Sequence, residues 1–122
     1  MVEIISLLFA HFFGDWFLQS RTIAVNKSNS FYYMFLHIVL VLIPIYFVLL
    51  LYGSPEFIWI EFLFIYACFH GFQDFIIWKI FPSLLKIKNE YWKDKKFYDL
   101  IAVDQFLHLA ALFILWEVFY GY

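Results

Sequence analysis

SNSFYYMFLHIVLVLIPIYFVLLLYGSP, residues 28–55, runs from Lys27 to Glu56 without an Asp, Glu, Lys or Arg over 28 positions. An α-helix needs about 20 predominantly apolar residues to cross the hydrocarbon of a bilayer, so this stretch is long enough for a membrane span and its turn. The rest of the chain agrees with it. Of 122 residues, 66% are hydrophobic and 15% charged, with 18 Phe, 9 Tyr and 5 Trp, whereas soluble domains are about half apolar and a quarter charged. The length leaves room for about four short-looped spans and no separate soluble domain. The expected fold is therefore all-α, a four-transmembrane-helix bundle forming a single integral membrane domain over residues 1–122.

The spans are predicted at about 2–19, 31–52, 57–81 and 100–120. The first has no basic region before it and no small-residue cleavage site after it, so it is read as retained rather than as a secretion signal. Residues 20–30 read as a loop, with Ser30 as N-cap of the second span and Pro44 as a kink within it. Gly53-Ser54-Pro55 reads as a tight turn, and Asp99 as the cap of the fourth span. The lone Cys68 excludes an intramolecular disulfide and any multi-cysteine zinc motif, and is expected to be a packing residue.

The basic residues orient this hairpin. Arg21 and Lys27 fall in the first loop; Lys79, Lys86, Lys88, Lys93, Lys95 and Lys96 fall in or beside the third. Both loops share one side of the membrane, and by the positive-inside rule that side is the cytoplasm. The expected location is the cell inner membrane, multi-pass, with both termini outside the cytoplasm. Between spans three and four, residues 83–97 interleave Leu84, Leu85, Ile87, Tyr91 and Trp92 with lysines. That stretch reads either as a solvated basic loop or as an interfacial helix attracting anionic head groups.

All four histidines lie inside the spans, one in each: His11, His37, His70 and His108. Three have an aspartate four residues away, as His11…Gly14-Asp15, His70…Gln73-Asp74 and, in reverse, Asp104-Gln105…His108. Residues i, i+3 and i+4 share a helical face. Counted from the cytoplasmic end of each span at about 1.5 Å per residue, the aspartates lie roughly 6 to 8 Å inside and their histidines roughly 12 to 14 Å inside, with His37 between. The reversal in the fourth span is what its opposite direction demands, so the layers can converge on one centre. Glu61 falls on the far side of its helix from His70 and is a separate group. Gly14, where the other triplets carry glutamine, reads either as a close helix contact or as room for a ligand.

Aspartates at this depth need compensation. No lysine or arginine is expected there within the spans, which leaves protonation, histidine cations, water or a bound metal. Imidazole and carboxylate donors suit zinc, iron or manganese, as one or two divalent ions, with His11, Asp15, His37, His70, Asp74, Asp104 and His108 as the candidate ligands. One of Asp15, Asp74 and Asp104 would remain as general base, while Gln19, Lys27, Gln73 and Gln105 would position substrate.

The blocks Ala10-His11-Phe12-Phe13-Gly14-Asp15-Trp16-Phe17-Leu18-Gln19 with Asn26-Lys27, then Leu36-His37, His70 with Asp74, and Asp104-Gln105-Phe106-Leu107-His108 resemble a family of small bacterial and phage membrane proteins, catalogued as domain of unknown function number 3307. The resemblance covers nearly the whole chain and implies no activity. A looser likeness to membrane proteins described as metal-dependent hydrolases points to metal by analogy. Two His-x-x-x-Asp matches also suggest a relation between spans one-two and three-four.

The function expected is a metal-dependent hydrolase acting on a lipid-like substrate, with membrane lipids as partners and an anionic lipid or lipid phosphate as substrate. Homo-oligomerisation is open and nucleic acid is excluded. One rival is a proton or cation transporter using the same residues. It is disfavoured because, Glu61 aside, the outer halves of the spans are nearly all apolar. The other is a non-catalytic membrane protein with a structural polar core, which would turn over nothing.

Overall fold

The structure is a computed structural model that describes residues 1–52, 56–86, 93 and 95–121; of Glu56 only the backbone is described. Six α-helices carry the fold: α1 (Val2–Phe12), α2 (Arg21–Asn26), α3 (Phe31–Leu51), α4 (Glu56–Phe75), α5 (Phe81–Leu84) and α6 (Lys95–Tyr120). A π-helical turn, Phe13–Phe17, continues α1, and a second, Ile76–Ile80, joins α4 to α5. All described secondary structure is helical.

The helices close into a ring, with α1 against α3, α3 against α4, α4 against α6 and α6 against α1. The reason lies in one spacing repeated on all four. Leu7, His11 and Asp15; His37, Val41, Ile45 and Leu49; Phe62, Tyr66, His70 and Asp74; and Leu100, Asp104, His108 and Leu112 are all buried. Each set steps by four residues, which makes one inward stripe per helix. Toward one end the stripes supply an apolar cluster that includes Leu7, Ile45, Leu49, Phe62 and Leu112. Toward the other they supply His and Asp.

The outside is the reverse of a soluble protein. Phe31 is 97% exposed, and Phe9, Phe17, Phe64 and Phe106 are also exposed, while all four histidines and Asp15, Asp74 and Asp104 are buried. Apolar surface of that extent facing outward fits a lipid environment. Three helical stretches are long and apolar enough to cross a membrane: Phe31–Leu51, Phe57–Leu84 and Lys95–Tyr120. The N-terminal segment, 11 α-helical residues followed by 5 in the π turn, falls short of the usual length of about 20.

Several local expectations change. Residues 20–30 are not all loop: Ser20 Oγ accepts from the Ile23 amide at 3.3 Å and caps α2. Ser30 sits at the N-cap of α3, but its side chain caps nothing. The helix begun by α4 runs past its expected end at 81, through the π turn and Pro82 to Leu84. In α6 the helix starts at Lys95, so Asp99 is not its cap but an exposed i, i+4 partner of Lys95 at 2.9 Å. Pro44 lies within α3, which stays one helix from Phe31 to Leu51. The expected turn at 53–55 and most of the interfacial candidate, 87–92 and 94, lie outside the described residues.

Candidate metal centre

The two layers foreseen in the sequence meet. Asp15 and His11 arrive from α1 and its π turn, His37 from α3, His70 and Asp74 from α4, and Asp104 and His108 from α6, and all seven are buried. The π turn holding Asp15 is a form of helix often found at functional sites. Gly14 brings that turn onto α3: a Cβ there would lie 2.6 Å from Val41 Cα and 2.8 Å from the Leu40 carbonyl oxygen. Close packing, rather than room for a ligand, is what this glycine provides.

His37 is the hub. Its Nε2 lies 2.8 Å from His70 Nε2, 2.9 Å from Asp74 Oδ2 and 3.2 Å from Asp15 Oδ1. His70 Nε2 is 3.9 Å from Asp15 Oδ1 and 3.7 Å from Asp74 Oδ2. On the next side, His108 Nε2 is 3.4 Å from Asp74 Oδ1, and its Nδ1 is 3.5 Å from Asp104 Oδ1. The rings of His70 and His108 stack at 4.0 Å. His11 closes the group, with Nε2 3.9 Å from Asp15 Oδ2.

Ligands about 2.0 to 2.1 Å from a tetrahedral ion stand about 3.3 Å apart; the His37 Nε2 separations of 2.8 to 3.2 Å are shorter than that and those of His70 Nε2 to Asp74 and Asp15, 3.7 and 3.9 Å, longer. Three ligand sets have donor atoms all within 4.8 Å of one another: His11, Asp15 and His108; Asp15, His37 and His70; and His70, Asp74 and His108. Several buried ligand atoms of the cluster lack hydrogen-bond partners among the described residues, including His11 Nε2, Asp15 Oδ1, Asp74 Oδ1 and both His108 nitrogens. Several are therefore near one another without being aligned for hydrogen bonds, as expected of donors aimed at a shared point.

The compensating groups gain one from outside the spans. A lysine does reach this depth: Lys27, in the turn between α2 and α3, is buried and places Nζ 2.9 Å from Asp74 Oδ2. Burial by itself would lower the Lys27 ammonium, but the carboxylates of Asp74 and Asp15 outweigh it and hold it above its ordinary value. A loop residue thus serves a site within the bundle. Asn26-Lys27 stood out in the sequence, but its place in the loop pointed to substrate rather than to Asp74.

Tyr66 was also missed. Its hydroxyl lies 2.7 Å from His11 Nδ1 and it is fully buried. The clue was spacing, because Tyr66 stands four residues before His70 on the same stripe. The glutamines divide. Gln105 Nε2 donates to Asp15 Oδ2 at 2.7 Å and to Asp104 Oδ2 at 3.4 Å. Gln73 Nε2 donates to the Leu107 carbonyl at 3.2 Å, tying α4 to α6. The Gln19 Oε1 atom is buried with no partner among the described residues. Glu61 is exposed on α4 and stands apart, as expected.

The family described as "Protein of unknown function (DUF3307)" matches residues 4–122, so the match takes in every residue of this centre. The chain belongs to that family. No curated protein and no solved structure matches it.

Proposed function

We propose that this DUF3307 protein is an integral membrane protein of four spans that holds a divalent metal ion, zinc, iron or manganese, and acts as a hydrolase on a lipid-like substrate. The observation that carries this is the meeting of His37 and His70 Nε2 at 2.8 Å with Asp15 and Asp74 oxygens beside them. Charge supports a single ion. With all three buried aspartates ionised and the imidazoles neutral, the one buried ammonium leaves two negative charges, and one divalent cation balances them.

Asp15, His37 and His70 are the proposed ligands, with Asp74 beside both histidines, His108 next to Asp74 and His11 next to Asp15. The metal would supply Lewis acidity and an activated water. Asp104 is left to orient His108 through Nδ1 and to accept a proton, and Gln105 steadies both Asp15 and Asp104. Positive-inside placement of the basic loops would open this centre to the cytoplasm and put both termini outside. A transport path is disfavoured by the apolar cluster of Leu7, Ile45, Leu49, Phe62 and Leu112 that fills the other half of the bundle.

The test is elemental analysis of detergent-purified protein, prepared without chelator, beside Asp74→Ala and His108→Ala. About one equivalent of metal, lost in both variants, supports the centre and justifies a hydrolysis screen on phospholipids and lipid phosphates. Folded, metal-free wild type overturns it and directs attention to proton or cation flux in liposomes.

A further inference from the structure

A groove of about 620 Å3 runs between α3 and α4. Phe35, Ile38 and Leu42 form one wall, and Phe64, Cys68 and Phe72 the other. From Phe31 to Leu42 the α3 wall extends roughly 16 Å at about 1.5 Å per residue, on the scale of a fatty acyl chain. One end is polar. Lys27, Ser28, Asn29 and Ser30 precede α3 there, Lys79 comes from the π turn after α4, and no acidic residue is among the described lining.

The two lysines are not equivalent. Lys27 is committed to Asp74 at 2.9 Å. Lys79 donates to Asn29 Oδ1 at 2.8 Å, which holds the ammonium at the mouth, while a neutral amide leaves its charge uncompensated. The N-terminus of α3, without a side-chain cap at Ser30, adds positive potential at the same place. A larger groove, about 820 Å3 and lined by Phe9, Phe13, Pro44 and Phe47 among others, has no charged lining residue. Size and greasiness are therefore common to both grooves, and the cationic mouth distinguishes the first.

We propose that the α3–α4 groove binds an anionic phospholipid, its acyl chain along the Phe-lined walls and its phosphate at Lys79 and the Ser28–Asn29–Ser30 turn. As a binding site it stands whatever occupies the His/Asp centre. As the substrate's seat it rests on the hydrolase proposal, because Lys27 both lines the groove and touches Asp74.

Native mass spectrometry of the detergent-purified chain, titrated with dioleoyl phosphatidylglycerol or dioleoyl phosphatidylcholine, tests it. Wild type should retain phosphatidylglycerol about five-fold more tightly, the effect of roughly one lysine near a charged head group, and Lys79→Ala should bring the two near parity. Cys68, exposed in the groove wall, gives a second measurement on unaltered protein. Its alkylation by N-ethylmaleimide in micelles should slow several-fold with phosphatidylglycerol and not with glycerol 3-phosphate. Equal retention of both lipids by wild type, a preference that survives Lys79→Ala, or equal protection by glycerol 3-phosphate would each overturn the groove. Metal content is read on the same samples. Metal-free protein that keeps its lipid preference overturns the metal centre alone, whereas metal-loaded protein without preference overturns the groove alone.

Discussion

His37 and His70 approach Nε2 to Nε2 at 2.8 Å, and the same His37 nitrogen has Asp74 Oδ2 at 2.9 Å and Asp15 Oδ1 at 3.2 Å. Lys27 Nζ stands 3.4 Å from it as well; one nitrogen carries at most one proton, so it cannot donate to both carboxylates and His70 at full strength. A divalent ion shared by His37, His70 and Asp15 would take up a lone pair from each. His37→Ala and His70→Ala should therefore each remove the metal, and the double variant should lose little more than either single one. Elemental analysis of the three proteins checks this; independent, partial losses would contradict a shared site.

Lys27 and Asp74 form a buried pair at 2.9 Å. Removing one partner of such a pair costs about 3 to 5 kcal/mol, because the other charge stays buried and uncompensated. Lys27→Met should accordingly lower the Tm of chelator-treated protein, and Lys27→Met with Asp74→Asn should regain much of that loss. Saturating metal should narrow the deficit of the single variant. A Lys27→Met protein as stable as wild type in chelator would show that Asp74 does not depend on this ammonium.

Tyr66 touches His11 Nδ1 at 2.7 Å. It fixes the aim of His11, which stands beside the proposed ligand Asp15, and loss of such an outer hydrogen bond typically weakens metal binding about 10- to 100-fold. Tyr66→Phe keeps the ring in the core and removes only the hydroxyl, so stability should fall by about 1 kcal/mol. Competitive metal titration against a chromophoric chelator should report the larger effect. Unchanged affinity would show that the Tyr66–His11 contact does not support Asp15 as a ligand.

Gly14 and Gly71 offer a matched pair. A Cβ on Gly14 would meet the backbone of Val41 and Leu40 at 2.6 and 2.8 Å, whereas one on Gly71 would meet the mobile tip of Ile38, Cδ1, at 2.8 Å. Backbone cannot rotate aside, but a side chain can. Gly14→Ala should cost about 1 to 3 kcal/mol or more by forcing α1 from α3, and should displace Asp15 and lower metal content. Gly71→Ala should cost distinctly less. Thermal denaturation of both variants in one detergent decides it; equal losses would mean that the α1–α3 contact yields easily.

Much of this molecule was legible in one dimension, because composition decides the solvent and spacing decides the face. The charge-free run 28–55 marked a membrane-length helix, and His-x-x-x-Asp at three places marked inward polar stripes, since four residues are just over one turn. The reversed Asp104…His108 order matched a helix running the other way. Helix ends were less legible. Ser20, Asp99 and Pro82 carry signals that fit more than one local structure, and neighbouring contacts choose among them.

Tertiary structure alone decided which stripes face one another. Spacing cannot encode the ring order α1–α3–α4–α6, which brings His37 to His70 and His108 to Asp74 across helix boundaries. Nor can it show that Lys27, a loop residue by position, folds back to pair with Asp74. Periodicity describes a helix one side chain at a time; the distance between donor atoms on different helices depends on how closely those helices pack, and here a single missing Cβ at Gly14 sets that approach.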